Sequence, residues 1–328
     1  MKHRKTKIVS TGSYIPETII SNLDLEKMVD TSDEWISTRT GIKKRHIAHE
    51  KEAASDLAYQ ASIKALKKAG ISAKELDMII VTTITPDMLF PATACVLQHM
   101  LGAKKIPAFD VEAACSGFIY GVSIASQFIS NGTYETILVV ASETLSKITD
   151  WEDRNTCVIF ADGAGAGVLR PSEDESGIIS IYLGADGEGA DIVGVPAGGS
   201  RMPASIKTVE ERQHYMKMKG NELFKRAVKV MVEAADKAIK EAGLTYKDID
   251  FFIPHQANIR IIQAVAKRMS IPMDKVYVNL QECGNMSAAS IAVALDQAIE
   301  EGKVKKGDKI LFSCFGGGLT WGSMLIKW

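Results

Sequence analysis

The stretch Ala65-Leu66-Lys67-Lys68-Ala69-Gly70-Ile71-Ser72-Ala73-Lys74-Glu75-Leu76-Asp77 returns as Ala238-Ile239-Lys240-Glu241-Ala242-Gly243-Leu244-Thr245-Tyr246-Lys247-Asp248-Ile249-Asp250, with six of thirteen positions identical and no gap. Chance would give roughly one. In each copy an amphipathic helix stops at a glycine and the chain enters an apolar strand, Met78 to Val81 or Phe251 to Ile253, so the repeated unit is helix, glycine cap, turn, strand. A second echo keeps the order: Ile129-Ser130-Asn131-Gly132 precedes the run Ile137 to Val140 as Ile299-Glu300-Glu301-Gly302 precedes Ile310 to Ser313, with three extra residues in the later loop. One such helix and strand would be commonplace. Two echoes in one order, 173 residues apart in a chain of 328, indicate a duplication.

Working outward, strands are expected near 7–11, 77–83, 106–111, 135–141, 157–161 and 164–169, alternating with helices near 53–69, 91–101 and 115–130. The second half reads as strands near 177–184, 249–254, 275–279, 309–314 and 322–327, with helices near 221–242, 258–269 and 286–301. This alternation defines an α/β class with helix-covered sheets, divided into halves 1–173 and 174–328 that pack as a pseudo-twofold pair. Between them, 171–220 is rich in Gly and Pro and reads as a strand followed by a long loop of functional type.

Composition narrows the function classes. The chain is 46% apolar and 24% charged, enough for a large core and unlike a disordered chain. Thirty-nine basic against forty acidic residues leave a net charge of −1, so the broad basic footprint of a nucleic-acid binder is missing. No apolar run approaches the ~18 residues of a membrane span. The basic opening Met1-Lys2-His3-Arg4-Lys5 is not followed by an apolar signal core. Cysteines 95, 115, 157, 283 and 314 are odd in number and contain no C-x-x-C, which argues against a disulfide framework or zinc knuckle. A reducing, cytoplasmic setting is expected.

Ligands of open α/β sheets gather at the carboxyl ends of strands, where helix N-termini present free N–H groups. Three segments meet that condition: Glu112-Ala113-Ala114-Cys115-Ser116-Gly117, Pro254-His255-Gln256-Ala257-Asn258 and Glu282-Cys283-Gly284-Asn285-Met286-Ser287. Cys115, among small residues at the start of a helix, suits a nucleophile whose thiolate the helix stabilises. Cys95 and Cys314 read as structural. His255 at a strand end is a proton donor or acceptor, or a satisfied structural histidine. Asn285 either caps the helix 286–301 or aims its amide at an oxyanion. Gly316-Gly317-Gly318 is turn chemistry or a backbone N–H lining. Asp162-Gly163-Ala164-Gly165-Ala166-Gly167 mimics a dinucleotide fingerprint, but a strand and Pro171 follow it, so NAD is rejected.

With Cys115, His255 and Asn285 at three such junctions, the sequence resembles the thiolase-fold condensing enzymes, and among them the β-ketoacyl-acyl carrier protein synthase III family. The resemblance runs through Val29-Asp30-Thr31-Ser32-Asp33-Glu34-Trp35-Ile36, Thr38-Arg39-Thr40-Gly41-Ile42, Ala113-Ala114-Cys115-Ser116-Gly117-Phe118, Asp162-Gly163-Ala164-Gly165-Ala166, Pro254-His255-Gln256-Ala257-Asn258, Gly284-Asn285-Met286-Ser287-Ala288-Ala289-Ser290 and Phe315-Gly316-Gly317-Gly318-Leu319-Thr320-Trp321-Gly322.

The resemblance implies a five-layered α-β-α-β-α body and an acyltransferase that takes an acyl group from acyl-CoA onto Cys115. His255 and Asn285 would then promote decarboxylation of malonyl-acyl carrier protein, and the carbanion would attack the acyl-enzyme, starting fatty-acid synthesis. The N–H groups of Cys115 and Gly317 would form the oxyanion hole. Thr31, Trp35, Arg39, Arg154 and Asn258 would meet CoA, with Trp35 and Arg154 sandwiching the adenine. Phe90 and Phe315 would border the acyl pocket, Phe90 by crossing a homodimer interface. Lys225, Arg260, Lys267 and Arg268 would dock an acidic carrier protein. Neither metal nor organic cofactor is implied; acyl-CoA and the carrier-bound malonyl group are substrates. Met286 and Leu319 depart from the family's usual Thr and Phe, and at pocket positions they would leave the primer open to groups other than acetyl. Readings with the same nucleophile are an acyltransferase or a ketosynthase of specialised metabolism; a silent CoA-binding scaffold would need none of these three polar side chains.

Overall fold

The computed structural model describes residues 4–328, so the basic opening at 1–3 lies outside the described residues. Strands β1 (Thr6–Tyr14), β2 (Met78–Thr82), β3 (Ala108–Val111), β4 (Ile137–Thr144) and β5 (Asp162–Pro171) form one sheet in the order β1-β5-β4-β2-β3. Strands β6 (Gly177–Ala185), β7 (Phe251–Pro254), β8 (Lys309–Gly316) and β9 (Thr320–Lys327) form the second in the order β7-β8-β9-β6. In the first, β2 runs parallel to β4, then β5 and β1 follow antiparallel. In the second, β7 runs parallel to β8, then β9 and β6 follow antiparallel. The same series twice is the duplication seen in the repeat. β2, parallel to both of its neighbours, is apolar on both faces: all of Met78–Thr82 is buried.

Helices cover the sheets by their apolar stripes. Six carry the argument: α1 (Asp33–Thr40), α2 (Ala54–Ala69), α3 (Gly117–Ser130), α4 (Gly220–Glu241), α5 (Ile259–Arg268) and α6 (Ala289–Glu300). Residues of α3 and α6 such as Phe118, Val122, Ile291 and Leu295 share one core with Ile80 and Val139 of the first sheet and Ile253 and Phe312 of the second. These two helices therefore lie between the sheets. Leu57, Ala61 and Ala65 of α2 cover the first sheet's other face, and Met231 of α4 with Ile262 and Val265 of α5 cover the second's. The result is the expected five layers, α-β-α-β-α.

Two expected strands are replaced. The segment 157–161 completes a short helix, Arg154–Cys157, and then makes one bridge, Phe160 to Asn285. Asp153 caps that helix by accepting from Asn155 N, and the fully buried Arg45 donates from Nε and Nη2 to Val158 O. The carbonyl a ladder would have used is thereby occupied. The segment 275–279 makes only the bridge Phe252 to Val276. There the Gln256 side chain donates to Tyr277 O and accepts from Asn279 N, both at 3.0 Å, and substitutes for a neighbouring strand. The linking region is also more ordered than a loop. After β6 it forms a ribbon of Val193–Gly194 with Lys217–Met218 and a short helix, Ile206–Glu210, tied down by Arg212 and Lys217 on the buried Asp150. A further hairpin, Thr18–Ser21 with Lys44–Ile47, and α1 went unread in the sequence.

Candidate active site

The ends of β3, β7 and β8 and the turn before α6 converge on a cavity of about 1060 Å³, lined by Cys115, His255, Asn285, Ser287, Gly316 and Gly317 among others. Neither half holds all of these, so the cavity exists only where the halves pack.

Cys115 lies on a tight turn, Ala114–Ser116, just before α3. Ala114 is held at φ 44°, a left-handed conformation that costs a non-glycine residue about 1 kcal/mol or more. Gly316 makes the close approach possible, since a Cβ there would stand 2.6 Å from Cys115 N. The expected lowering of the thiol pKa by a helix N-terminus is not what the surroundings produce. Burial dominates and pushes the thiol up to about 12, against weaker help from the Ser287 hydroxyl, so at rest Cys115 is a thiol.

His255 follows β7 with its N–H on Ser313 O. Both ring nitrogens are buried and make no hydrogen bond to the described residues. Burial lowers its pKa to about 4, which leaves a neutral imidazole at pH 7 with one N–H to donate. Asn285 does not cap the helix expected from 286, because α6 begins at Ala289. Instead its backbone brackets Phe160, with N to Ile159 O at 3.1 Å and O from Ala161 N at 2.9 Å. As its amide is assigned, Oδ1 accepts from Ser287 N at 2.9 Å, leaving Nδ2 without a bond to the described residues. The segment that failed to become a strand is thus what holds Asn285 in place.

At one mouth of the cavity stand Trp35, Arg39 and Asn258. Ser32 caps α1 by accepting from Trp35 N, and Gly41 ends it. Arg154 lies over the Trp35 ring at 5.0 Å and Arg39 at 5.7 Å, so the expected adenine sandwich is closed, Arg154 being stacked on the indole itself. Arg154 also donates to Asp30 O and does not line the cavity, nor does Thr31, whose hydroxyl is buried without a partner. Both amide ends of Asn258 are spent, Oδ1 on Arg260 N and Nδ2 on Arg39 O, which locks α1 to α5. Lys225 and Arg260 line the rim, Arg260 over the Phe224 ring. Lys267 and Arg268 continue the exposed face of α5, and none of the four pairs with a carboxylate among the described residues.

The inner end is apolar: Ile84, Leu145, Ile148, Phe160, Met216 and Met218. Phe315 lines the cavity, while Phe90 lies outside it, 84% exposed beside the equally exposed Leu89. Met286 and Leu319 are not pocket residues, contrary to expectation. Met286 is buried between the sheets against Gly163, and Leu319 is buried against Gly189 and Ile192, so neither shapes the lining directly. No local signal marks Glu143 or Ser287 as functional, although Ser287 lies in the stretch 284–290 and Glu143 is the penultimate residue of β4.

A duplicated α/β body whose halves close over a cysteine, a neutral histidine and an asparagine defines a thiolase-fold condensing enzyme. Residues 109–187 match the family model described as 3-oxoacyl-[acyl-carrier-protein] synthase III, and 239–328 match its C-terminal counterpart. The chain is 58% identical to the β-ketoacyl-[acyl-carrier-protein] synthase III of Caldanaerobacter subterraneus subsp. tengcongensis, over 98% of this chain and 97% of that one. It is also 58% identical to the corresponding protein of Natranaerobius thermophilus, over 98% and 99%. The crystal structure of 3-oxoacyl-[acyl-carrier-protein] synthase III from Aquifex aeolicus VF5 superposes with a TM-score of 0.91 at 49% identity, covering 98% of this chain and all of that one. The chain belongs to the 3-oxoacyl-[acyl-carrier-protein] synthase III family, acyltransferase-type condensing enzymes. Among the described residues no helix is long and apolar enough to cross a membrane, and no cluster of His, Cys, Asp and Glu could hold a metal ion.

Proposed function

We propose that this chain carries out the acyl-CoA-primed, decarboxylating condensation with malonyl-acyl carrier protein that initiates fatty-acid synthesis, with labour divided as follows. The Cys115 sulfur attacks the acyl-CoA thioester carbon; the new S–C bond forms, the bond to CoA breaks, and CoA leaves as its thiol. N–H groups of Cys115 and Gly317 stabilise the oxyanion. The malonyl group then occupies the emptied site, where His255 and the Asn285 amide donate to its thioester oxygen. As CO₂ leaves, they hold the enolate that attacks the acyl-enzyme and releases a 3-oxoacyl carrier protein. A neutral histidine suits this step, since it donates without bringing a proton the enolate would capture.

The observation that carries the reading is the enclosure of Cys115, His255, Asn285 and Gly317 in one cavity with a polar mouth and an apolar end. Trp35, Arg39, Arg154, Thr31 and Asn258 form the CoA entrance in this reading, with Arg154 swinging off the indole to admit adenine. Lys225, Arg260, Lys267 and Arg268 dock the acidic carrier. Phe90 and Leu89 reach a second copy in a homodimer, in the cytoplasm. Residues 1–173 and 174–328 are the duplicated halves, acting as one catalytic unit.

Intact-mass spectrometry after incubation with a panel of acyl-CoA thioesters tests it. The expected result is one acyl adduct mapped to Cys115 and absent from Cys115→Ala. A folded protein that no thioester acylates would remove the reading.

A further inference from the structure

Glu143, near the end of β4, is fully buried behind the cavity and has no part in the scheme above. Its Oε2 accepts from Thr85 Oγ1 at 2.8 Å, Ile84 N at 3.1 Å and Thr83 Oγ1 at 3.2 Å. Its Oε1 is equally buried and has no hydrogen-bond partner. Ser287, on the cavity wall with Cys115, is held at φ 46° with its N–H fixed on Asn285, and its buried hydroxyl is likewise unpartnered. Such orphans are rare, and two together call for a reason. Glu143 stands opposite Gly163 in the sheet, and Met286 packs on that glycine, so the carboxyl lies beside the turn that carries Ser287, whose neighbour on the cavity wall is Cys115; Ser287 favours the charged form of both groups.

We propose that Glu143, acting through the Ser287 hydroxyl, receives the proton of the Cys115 thiol when the acyl-enzyme forms. This rests on the reading of Cys115 as nucleophile. As the S–H bond breaks, its proton passes to Ser287 Oγ while the hydroxyl proton passes to Glu143 Oε1. The thioester bond to CoA breaks as the new S–C bond forms, and the departing CoA thiolate takes a proton back along the same path. Glu143 ends as the carboxylate it began as, and nothing is oxidised or reduced. Glu143 is a positioning residue here, since it reaches the sulfur only through Ser287.

The need for an acceptor follows from burial. Burial holds the Cys115 thiol far above its ordinary value, so at pH 7 the sulfur keeps its proton unless a neighbouring group takes it. Glu143 is raised by the same burial, to about 7, and two such neighbours titrate as a pair. Cys115 is the titratable group that faces it. From β5, Gly163 stands opposite and Asp162 is committed to Ala48 N and Ser146; from β2 and the residues after it come the hydroxyls of Thr83 and Thr85 and the Ile84 N–H; from the turn before α6 come Asn285, Ser287 and the Ala288 N–H; and His255 is neutral.

The test is the pH dependence of Cys115 alkylation by iodoacetamide, alongside acylation by acyl-CoA, in the full-length protein. Wild type should show a lower limb, rising through about pH 7, and a second at alkaline pH. In Glu143→Gln the lower limb should vanish, with a loss of roughly 10²-fold at pH 7 and the alkaline limb retained; Glu143→Asp should restore a lower limb. A folded Glu143→Gln whose profile superposes on wild type overturns the proposal. Should Glu143→Gln not fold, Ser287→Ala decides by the same criterion. Wild-type Cys115 that neither alkylates nor acylates is a different failure, because it removes the nucleophile itself.

Discussion

Glu143 near the end of β4 and Gly316 at the end of β8 stand at matching positions of the duplication, 173 residues apart. In the second half the side chain is absent, and the backbone of Gly316 comes up against the Cys115 amide. In the first half the same position carries a buried carboxyl, tied to the hydroxyls that follow β2. A neighbouring pair differs in the same way. Thr82 packs against Gly117 and Gly121 in the core, whereas its counterpart His255 faces the cavity. At these two positions the second half faces the cavity and the first half is filled, while the end of β3 in the first half still supplies Cys115 to the cavity wall.

The harshest way to break that contrast is to give Gly316 a side chain. Gly316→Ala places a Cβ 2.6 Å from Cys115 N, closer than packed atoms tolerate, so the turn bearing the nucleophile must move. Acylation measured by mass spectrometry should fall about 10²-fold or more, with the thermal midpoint little changed; an unaltered rate would show that the approach is incidental.

A middle-sized effect tests how the second half replaces its missing strand. Gln256→Leu removes three bonds to buried backbone groups, of which Tyr277 O and Asn279 N lie on the segment that would have been the strand and Pro254 O ends β7. At about 1–3 kcal/mol for each of the first two, denaturant unfolding should show a loss of roughly 2–6 kcal/mol. A loss below about 0.5 kcal/mol would mean that the side chain does not act as a surrogate strand.

The smallest effect belongs to the rim. Reversing charge at Arg260 and Lys267 should raise KM for the carrier-bound substrate about 3- to 10-fold, more at low salt. The acylation rate from acyl-CoA should stay within two-fold. An equal effect on both substrates would detach α5 from carrier docking.

Much of this was legible in the chain. The repeat at 65–77 and 238–250 announced two related sheets, and the order that four strands of each share follows from it. Cys115 and His255 were legible as cavity residues because short-range signals, a strand running on toward a helix, place both at junctions; Asn285 was read from a strand over 275–279 that does not form, and it reaches the cavity from between the short helix Leu280–Cys283 and α6. Arg45, Glu143 and the surrogate role of Gln256 were not legible. Each depends on a partner far away in sequence, such as Val158 for Arg45 and Thr85 for Glu143, which no local pattern announces. Met286 and Leu319 were misplaced for a related reason. Membership of a pocket motif fixes where a backbone runs, while the direction of a side chain is decided by the space around it.

Periodicity, glycine caps and apolar runs are local properties, so the amino-acid sequence by itself determined the duplicated α/β class and the strand ends where chemistry could sit. Burial is not local. Only the packing of the two halves decided that Cys115 rests as a thiol, that His255 is neutral, and that a buried carboxyl lies behind the cavity wall. The free energy of a charge depends on every atom that replaces water around it.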